Sequence, residues 1–211
     1  LWLNALRWGL AILILLPLGW RVLATAPARA ALRQRWAYVG IPGLIGVGAY
    51  NGLQYVALRT STPVNVTLIA SSLPLWSMLV GVIGYRVHPT RQQLLGAVLS
   101  LGGVLTVLSR GDALALLRIQ LVEGDLLMVL GIAGWAVYSW MLARPPQNMR
   151  GTERPDWNWA EFLFAQCLFG VVIGFGAAGL GEALAPSMTP NWNAGLIATI
   201  IFIAVGPSVI A

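Results

Sequence analysis

Long apolar stretches separated by short polar ones run along the whole chain. Runs without a charged residue cover residues 36–58, 60–85, 92–109, 126–143, 162–181 and 183–211. A seventh run, 3–23, is apolar apart from Arg7 and Arg21 near its ends. A helix needs about 20 apolar residues to cross the hydrocarbon core of a bilayer. The pattern therefore predicts seven spans, centred near Leu13, Val47, Pro74, Leu101, Gly134, Gly170 and Ile201.

The composition indicates that these helices are surrounded by lipid and not by water. Apolar residues make up 58% and charged residues 9% of the 211 residues, and the mean hydropathy is +0.76. Soluble domains carry about a quarter charged residues. The sequence thus predicts an all-α polytopic membrane protein, with lipid as one of its partners.

The arginines predict the orientation, because the chain has no lysine. The loops after the first, third and fifth spans hold nine arginines: Arg21, Arg29, Arg33, Arg35, Arg86, Arg91, Arg144, Arg150 and Arg154. The other loops hold Arg59, Arg110 and Arg118. Positive loops stay in the cytoplasm, so the first span enters from outside and Ala211 points toward the cytoplasm. Topology also explains the net charge of +6, and no nucleic-acid motif accompanies it.

The scarcity of reactive side chains excludes several classes of function. One cysteine, Cys167, one histidine, His88, and no acid in a span interior provide neither a metal set nor a catalytic constellation. We expect no enzyme, no cofactor and no metal. The acids nearest the spans, Asp125, Glu161 and Glu182, lie at span edges, so a buried-carboxylate proton relay is not expected. Sugar phosphates are disfavoured, because their carriers need several buried cations.

Polar and aromatic residues recur at helical spacing in four of the predicted spans. The candidate substrate-binding residues are Asn4, Arg7 and Trp8 in the first span, Tyr50, Asn51, Gln54 and Tyr55 in the second, Ser71, Pro74 and Met78 in the third, and Trp135, Tyr138 and Ser139 in the fifth. Such residues can simply bond across helix pairs, at about 0.6 kcal/mol on average. They can instead line a wet cavity, and the two amides Asn51 and Gln54 favour that interpretation.

Arg7 and the prolines each leave two interpretations open. Arg7 either extends to the outer interface or faces the cavity and binds a substrate carboxylate. With the aromatic and amide side chains around it, the second alternative suits a neutral zwitterion such as an amino acid. Pro17, Pro42, Pro74 and Pro207 are static kinks or points at which a span bends, and Pro74 is expected to permit bending of the third span.

Four segments carry a resemblance to a known family. They read "NALRWGLAILILLPLGWRVL", "YNGLQYVALRTSTPVNVTLIASSLPLWSMLVGVI", "PTRQQLLGAVLSLGGVLTVLSRGD" and "EGDLLMVLGIAGWAVYSWMLAR". In this order they resemble successive helices of an EamA-type carrier of the drug/metabolite transporter superfamily. The resemblance implies ten helices in two inverted five-helix repeats, and export of small metabolites through a central cavity by alternating access.

The resemblance also implies a domain division. The seven spans become helices two to eight, with residues 1–110 as most of the first repeat, 111–125 as an external linker and 126–211 as the start of the second. We expect a longer protein in a bacterial inner membrane. In one departure from the family, its frequent Gly-Glu pair before the threonine of the turn is replaced by Arg86 and Val87 before Thr90.

The sequence favours export of neutral or aromatic amino acids, the related amino-acid exporters adding support. Alternatives are a carrier of another metabolite or of a drug-like cation, and a membrane receptor or assembly subunit that transports nothing. The small-molecule substrate is the expected partner, and the sequence indicates no oligomeric state.

Overall fold

A computed structural model describes residues 1–108, 122–184 and 192–210 of the chain. Within these ranges the secondary structure is helical and includes no strand. This confirms the predicted all-α class. Most of the predicted external linker, with Arg110 and Arg118, lies outside the described residues.

The helices follow one another with short connections. In chain order they are α1 (Trp2–Gly19), α2 (Arg21–Ala24), α3 (Ala26–Gln34), α4 (Trp36–Pro42), the π-helix π1 (Gly43–Ala49), α5 (Tyr50–Ala57), α6 (Pro63–Ser71), α7 (Leu73–Tyr85), α8 (Arg91–Leu108), α9 (Glu123–Ala143), α10 (Trp159–Leu184), α11 (Ala194–Val205) and the π-helix π2 (Gly206–Ile210). Two 3-10 turns, Gln147–Met149 and Gly151–Glu153, lie between α9 and α10.

Three described helices are long and apolar enough to cross a membrane: α1, α9 and the stretch Trp159–Gly181 of α10. The pair α6 and α7 makes a fourth if it is one broken span, since it is bent by 40°. The break falls at Ser72, two residues before Pro74. The predicted second span is built from α4, π1 and α5 in succession. The count of seven spans and the inverted repeat stay predictions.

The chain forms two compact units, the first from Leu1–Gly52 with Arg144–Ala211 and the second from Leu53–Ala143. In the first unit, α10 packs against both α1 and π1. Its main apolar core contains Trp8, Ala11, Leu15, Val47, Ala160, Phe164 and Cys167. Cys167 is therefore a packing residue, as its isolated position in an apolar run suggests.

Glycines bring α10 into direct contact with π1. Both the "GAYNG" and the "GVVIG" segments have the small-xxx-small spacing that permits close helix approach. An added Cβ at Gly48 would lie 3.0 Å from the carbonyl oxygen of Gly170. An added Cβ at Gly170 would lie 2.6 Å from the carbonyl oxygen of Gly43. The two backbones therefore touch at this crossing, with no room for a side chain.

The second unit is held by one tryptophan and by the start of α9. Trp140 on α9 donates its indole N–H to the carbonyl oxygen of Ser77 at 2.7 Å and stacks on Tyr85. An added Cβ at Gly81 would lie 2.6 Å from the Trp140 ring, so a glycine makes room for the indole. At the other end of α9, Gly124 lies against the carbonyl oxygen of Ala57. Both contacts join α9 to residues of α5 and α7.

Reciprocal side-chain caps lie where two of the helices begin. At α10, the Asn158 carboxamide accepts from the Glu161 backbone N–H at 2.8 Å, and the Glu161 carboxylate accepts from the Asn158 N–H at 2.9 Å. Thr90 and Gln93 make the same reciprocal pair before α8. These pairs are capping boxes, which satisfy backbone donors that a helix start leaves without partners.

We expect Asn158→Ala to lower the free energy of unfolding by about 1 kcal/mol, because it removes the cap of α10. Asn148 is exposed, and its side chain caps no helix, so Asn148→Ala is the matched control and should leave the stability unchanged. The measurement is thermal or denaturant unfolding of detergent-purified protein. Equal loss in both variants would show that the cap contributes nothing.

Candidate functional site

The first turns of α1 place three polar or aromatic residues on one buried face. Asn4, Arg7 and Trp8 follow one another at helical spacing. Asn4 is 2%, Arg7 7% and Trp8 7% exposed. Arg7 therefore points into the first unit rather than along its surface, which argues against the alternative that it extends to the interface.

Two hydrogen bonds join this face to π1 and α5. The Arg7 guanidinium donates from Nη1 to the Asn51 Oδ1 at 3.3 Å, and Asn4 donates from Nδ2 to the Gly48 carbonyl oxygen at 3.1 Å. The guanidinium carbon also lies 4.9 Å from the centroid of the Trp8 ring, a cation–π distance. We call Asn4, Arg7, Trp8 and Asn51 the Arg7 cluster.

The backbone beside the Arg7 cluster is itself unusual. The π-helix π1 contains Gly43, Gly46 and Gly48 and follows directly on Pro42. Wide turns of this kind are rare and occur often at functional sites, because they change which carbonyl groups are free to accept. Here one of those carbonyl oxygens, that of Gly48, receives the Asn4 amide.

Two neutral side chains of the Arg7 cluster each bury a polar atom without a hydrogen-bond partner among the described residues: Asn4 its Oδ1 and Trp8 its Nε1. The Trp2 Nε1 and the Gln166 Nε2, also in the first unit, share this property. A buried polar atom without a partner costs about 1–3 kcal/mol. Such atoms collect in few places of a folded protein, so this acceptor and this donor next to a buried cation mark a candidate site for a polar ligand.

The other predicted residue of the first unit is Tyr50, which is half-buried at the start of α5. Tyr50 precedes Asn51 directly, so the predicted residues Asn4, Arg7, Trp8, Tyr50 and Asn51 all belong to one packed unit. Among the described side chains, Arg7 is also the one buried cation.

The remaining eight predicted residues belong to the second unit. Gln54, Tyr55, Ser71, Met78, Trp135, Tyr138 and Ser139 are half-buried there, and Pro74 is exposed. The Ser71 and Ser139 hydroxyls donate to the carbonyl oxygens of Leu68 and Trp135 at 2.7 and 2.8 Å. Each hydroxyl hydrogen is thus bonded within its own helix. These serines can therefore offer a ligand the lone pairs of their oxygens. The rings of Trp135 and Tyr138 lie 5.0 Å apart.

Two carboxylates that the sequence places at span edges are buried in the structure. Asp125, at the start of α9, is 3% exposed and Glu161, at the start of α10, is 2% exposed. Glu161 lies in a capping box and has the Arg21 Nε 3.8 Å away. Asp125 accepts from the Ser61 hydroxyl, from the Asn65 amide at 3.2 Å and from the Val122 N–H at 2.9 Å.

The position of both acids at the third residue of a helix was the available signal, since acids there often bond back to the cap residue. Their burial depends on distant residues and has no local signature. Gln166, 1% exposed on α10, was also missed. No group of three or more histidine, cysteine or acidic side chains that could hold a metal occurs within the described ranges.

The comparison with protein families is decisive for the class of protein. The model of the EamA-like transporter family matches residues 1–109, just over half of the chain. The chain belongs to the EamA-like transporter family. The resemblance seen in the sequence is thereby confirmed, and the apolar helices agree with an integral membrane protein.

Curated relatives of this family member carry transporter names. The chain is 29% identical over 134 residues to "Uncharacterized transporter YyaM" of Bacillus subtilis (strain 168), which covers 64% of the chain and 43% of that relative. It is 28% identical over 104 residues to an "Uncharacterized transporter" of Archaeoglobus fulgidus, covering 49% of the chain and 35% of the relative. The chain thus spans less than half the length of these relatives. No solved structure matches it.

The family match covers some of the candidate site residues. The matched EamA region contains α1 to α8, hence the whole Arg7 cluster as well as Gln54, Tyr55, Ser71, Pro74 and Met78. Asp125, Trp135, Tyr138 and Ser139 lie beyond the matched residues. Any role for these four residues must therefore be argued from their own surroundings.

Proposed function

We propose that the complete protein exports small metabolites, neutral and aromatic amino acids first among them, by alternating access in a bacterial inner membrane. In this proposal Arg7 binds the substrate carboxylate. The single observation that carries it is the buried guanidinium of Arg7, which contacts Asn51 and shares a cluster with Asn4 and Trp8, each of which has a polar atom without a partner among the described residues.

The chemistry of the Arg7 cluster fits a zwitterion. A guanidinium presents a planar fork of donors that matches a carboxylate, and burial strengthens the pair. The Asn4 Oδ1 can accept from a substrate ammonium group, and the Trp8 Nε1 can donate to a carboxylate oxygen. Arg7, Asn4 and Trp8 therefore offer a cation, an acceptor and a donor to the two charged groups of an amino acid.

The number of buried cations supports a substrate whose anionic group carries a single charge. One buried cation among the described side chains balances one carboxylate, whereas a phosphate ester carries about two charges at neutral pH. In the proposal the partners are the substrate and the surrounding lipid, without nucleic acid. The predicted residues of the second unit stay predictions, each to be tested by its own substitution.

We expect Arg7→Gln to reduce transport of neutral amino acids on the order of tenfold to a hundredfold, because a charge-assisted hydrogen bond contributes about 1.5–3 kcal/mol. The measurement is saturable uptake of a labelled amino-acid panel by proteoliposomes that contain the complete gene product. Gln54→Leu is expected to lower uptake with expression nearly unchanged. Arg33, exposed on α3, provides the control variant Arg33→Gln.

The outcomes separate the alternatives. Loss in Arg7→Gln with normal uptake in Arg33→Gln supports the proposed site, and partial rescue by Arg7→Lys would distinguish charge from the shape of the guanidinium. Equal loss of uptake and expression in Gln54→Leu favours a packing role for that amide. Absence of flux for every amino acid, with folded protein in the membrane, would instead favour another metabolite, a drug-like cation or a non-transporting subunit.

A further inference from the structure

A cavity of about 330 Å³ in the second unit has Asp125 among its lining residues. Three elements of that unit, α6, α8 and α9, contribute its lining. The apolar part of the wall consists of Leu68, Ile69, Leu101, Leu105 and Val129. The polar part consists of Asn65, Ser72 and Asp125. The volume lies at the small end of ligand pockets, about 300–1,000 Å³, and suits a ligand of one ring.

The carboxylate of Asp125 is buried without a positive partner among the described residues. It is 3% exposed, and no ion pair joins it to a basic side chain among the described residues. Ser61, Asn65 and the Val122 N–H donate to it, and the start of α9 adds the favourable end of a helix dipole. These groups keep the carboxylate in place, but none of them carries a full positive charge.

The described donors leave part of the hydrogen-bond capacity of Asp125 unused. A carboxylate offers about four lone-pair sites, and three donors are present among the described residues. A buried charge in apolar surroundings attracts an opposite charge strongly, because the local dielectric constant is low. The complementary ligand therefore has a cationic head with hydrogen-bond donors and an apolar body of modest size.

We infer that this pocket binds an organic ammonium ion, with the apolar body against Leu101 and Leu105 and the charged head paired with Asp125. The site is independent of the Arg7 cluster, whose residues all belong to the first unit. This pocket is inferred to bind a cation, whereas Arg7 is proposed to bind an anionic carboxylate. The inference therefore holds or fails separately from amino-acid export.

The test compares two probes of nearly equal size, phenethylammonium and the neutral 2-phenylethanol. Binding of each to the complete gene product in lipid nanodiscs is measured by calorimetry at pH 7. We expect the ammonium to bind at least about tenfold more tightly than the alcohol, which corresponds to one charge-assisted hydrogen bond. Asp125→Asn keeps the shape and the acceptor oxygen and should remove this preference.

Two further variants keep the test decisive. Glu123→Gln removes the same charge two residues away, on an exposed side chain outside the pocket, and should leave binding unchanged. Leu105→Trp fills the cavity and keeps Asp125, so it should weaken the binding of both probes. This variant therefore still tests whether the probes bind in this pocket if Asp125→Asn does not fold. Equal binding of the two probes to the unaltered protein, or an unchanged preference in Asp125→Asn, would overturn the inference.

Discussion

Replacing Gly170 by alanine should reduce the amount of folded protein and lower its unfolding temperature. The new Cβ would lie 2.6 Å from the carbonyl oxygen of Gly43 and overlap the side chain of Val47. The Gly43 carbonyl is backbone and cannot rotate away, so α10 and π1 must separate. Overpacking of this kind costs about 1–3 kcal/mol, occasionally more, out of a total stability of about 5–15 kcal/mol. The measurement is the folded fraction by size-exclusion chromatography in detergent, together with the unfolding temperature.

Gly176 provides a control on the same helix. No atom lies within 4 Å of an added Cβ there, and alanine favours helix formation by about 1 kcal/mol over glycine. Gly176→Ala should therefore accumulate normally and unfold at the same or a higher temperature. A normal yield and melting temperature for Gly170→Ala would show that the tight crossing of α10 and π1 is wrong.

Part of this packing could be predicted from the sequence. The small-xxx-small segments around Gly48 and Gly170 indicated close helix contact, and the two glycines do meet. The pattern alone does not say which glycines touch, however. Gly102 and Gly103 have nothing within 4 Å of an added Cβ, although they form an equally small pair. Which surfaces meet depends on the fold as a whole.

The long apolar helices were the easiest elements to predict. Hydropathy depends on residues that are neighbours in the chain, and α1, α9 and α10 are long enough for it to identify them. The π-helix π1, against which α10 packs, could not be predicted, because no local residue pattern requires its wide turns. Pro42 and three glycines make that backbone possible without requiring it.

The burial of Asp125 could not be predicted from the sequence, for a different reason. Counting charges along a span places this acid at the edge of an apolar run, where exposure is the simplest expectation. Its donors Ser61 and Asn65 are 64 and 60 residues away in the chain. The inward orientation of Arg7 is a similar case, since helical spacing alone does not give it and the contact with Asn51 lies 44 residues away in the chain.

Changing Asn51 to aspartate should raise stability and inhibit transport. The new carboxylate would occupy the position of an amide whose oxygen lies 3.3 Å from the Arg7 guanidinium. It would form a partly buried ion pair there and compete with the substrate carboxylate for the same donors. We expect the apparent affinity for amino acids to fall on the order of a hundredfold, since the pair replaces about 3 kcal/mol of substrate binding. Uptake kinetics and the unfolding temperature are measured on the same preparation.

The opposite signs of the two effects make this variant informative. If Arg7 and Asn51 serve only to hold α1 against α5, a stronger bond between them should leave transport intact or improve it. If Arg7 receives the substrate, the stronger bond must inhibit, because the guanidinium is already occupied. Asn51→Leu completes the comparison, since it should lower both stability and transport under either alternative. A thermally stabilised Asn51→Asp protein with unchanged uptake would rule out the carboxylate site at Arg7.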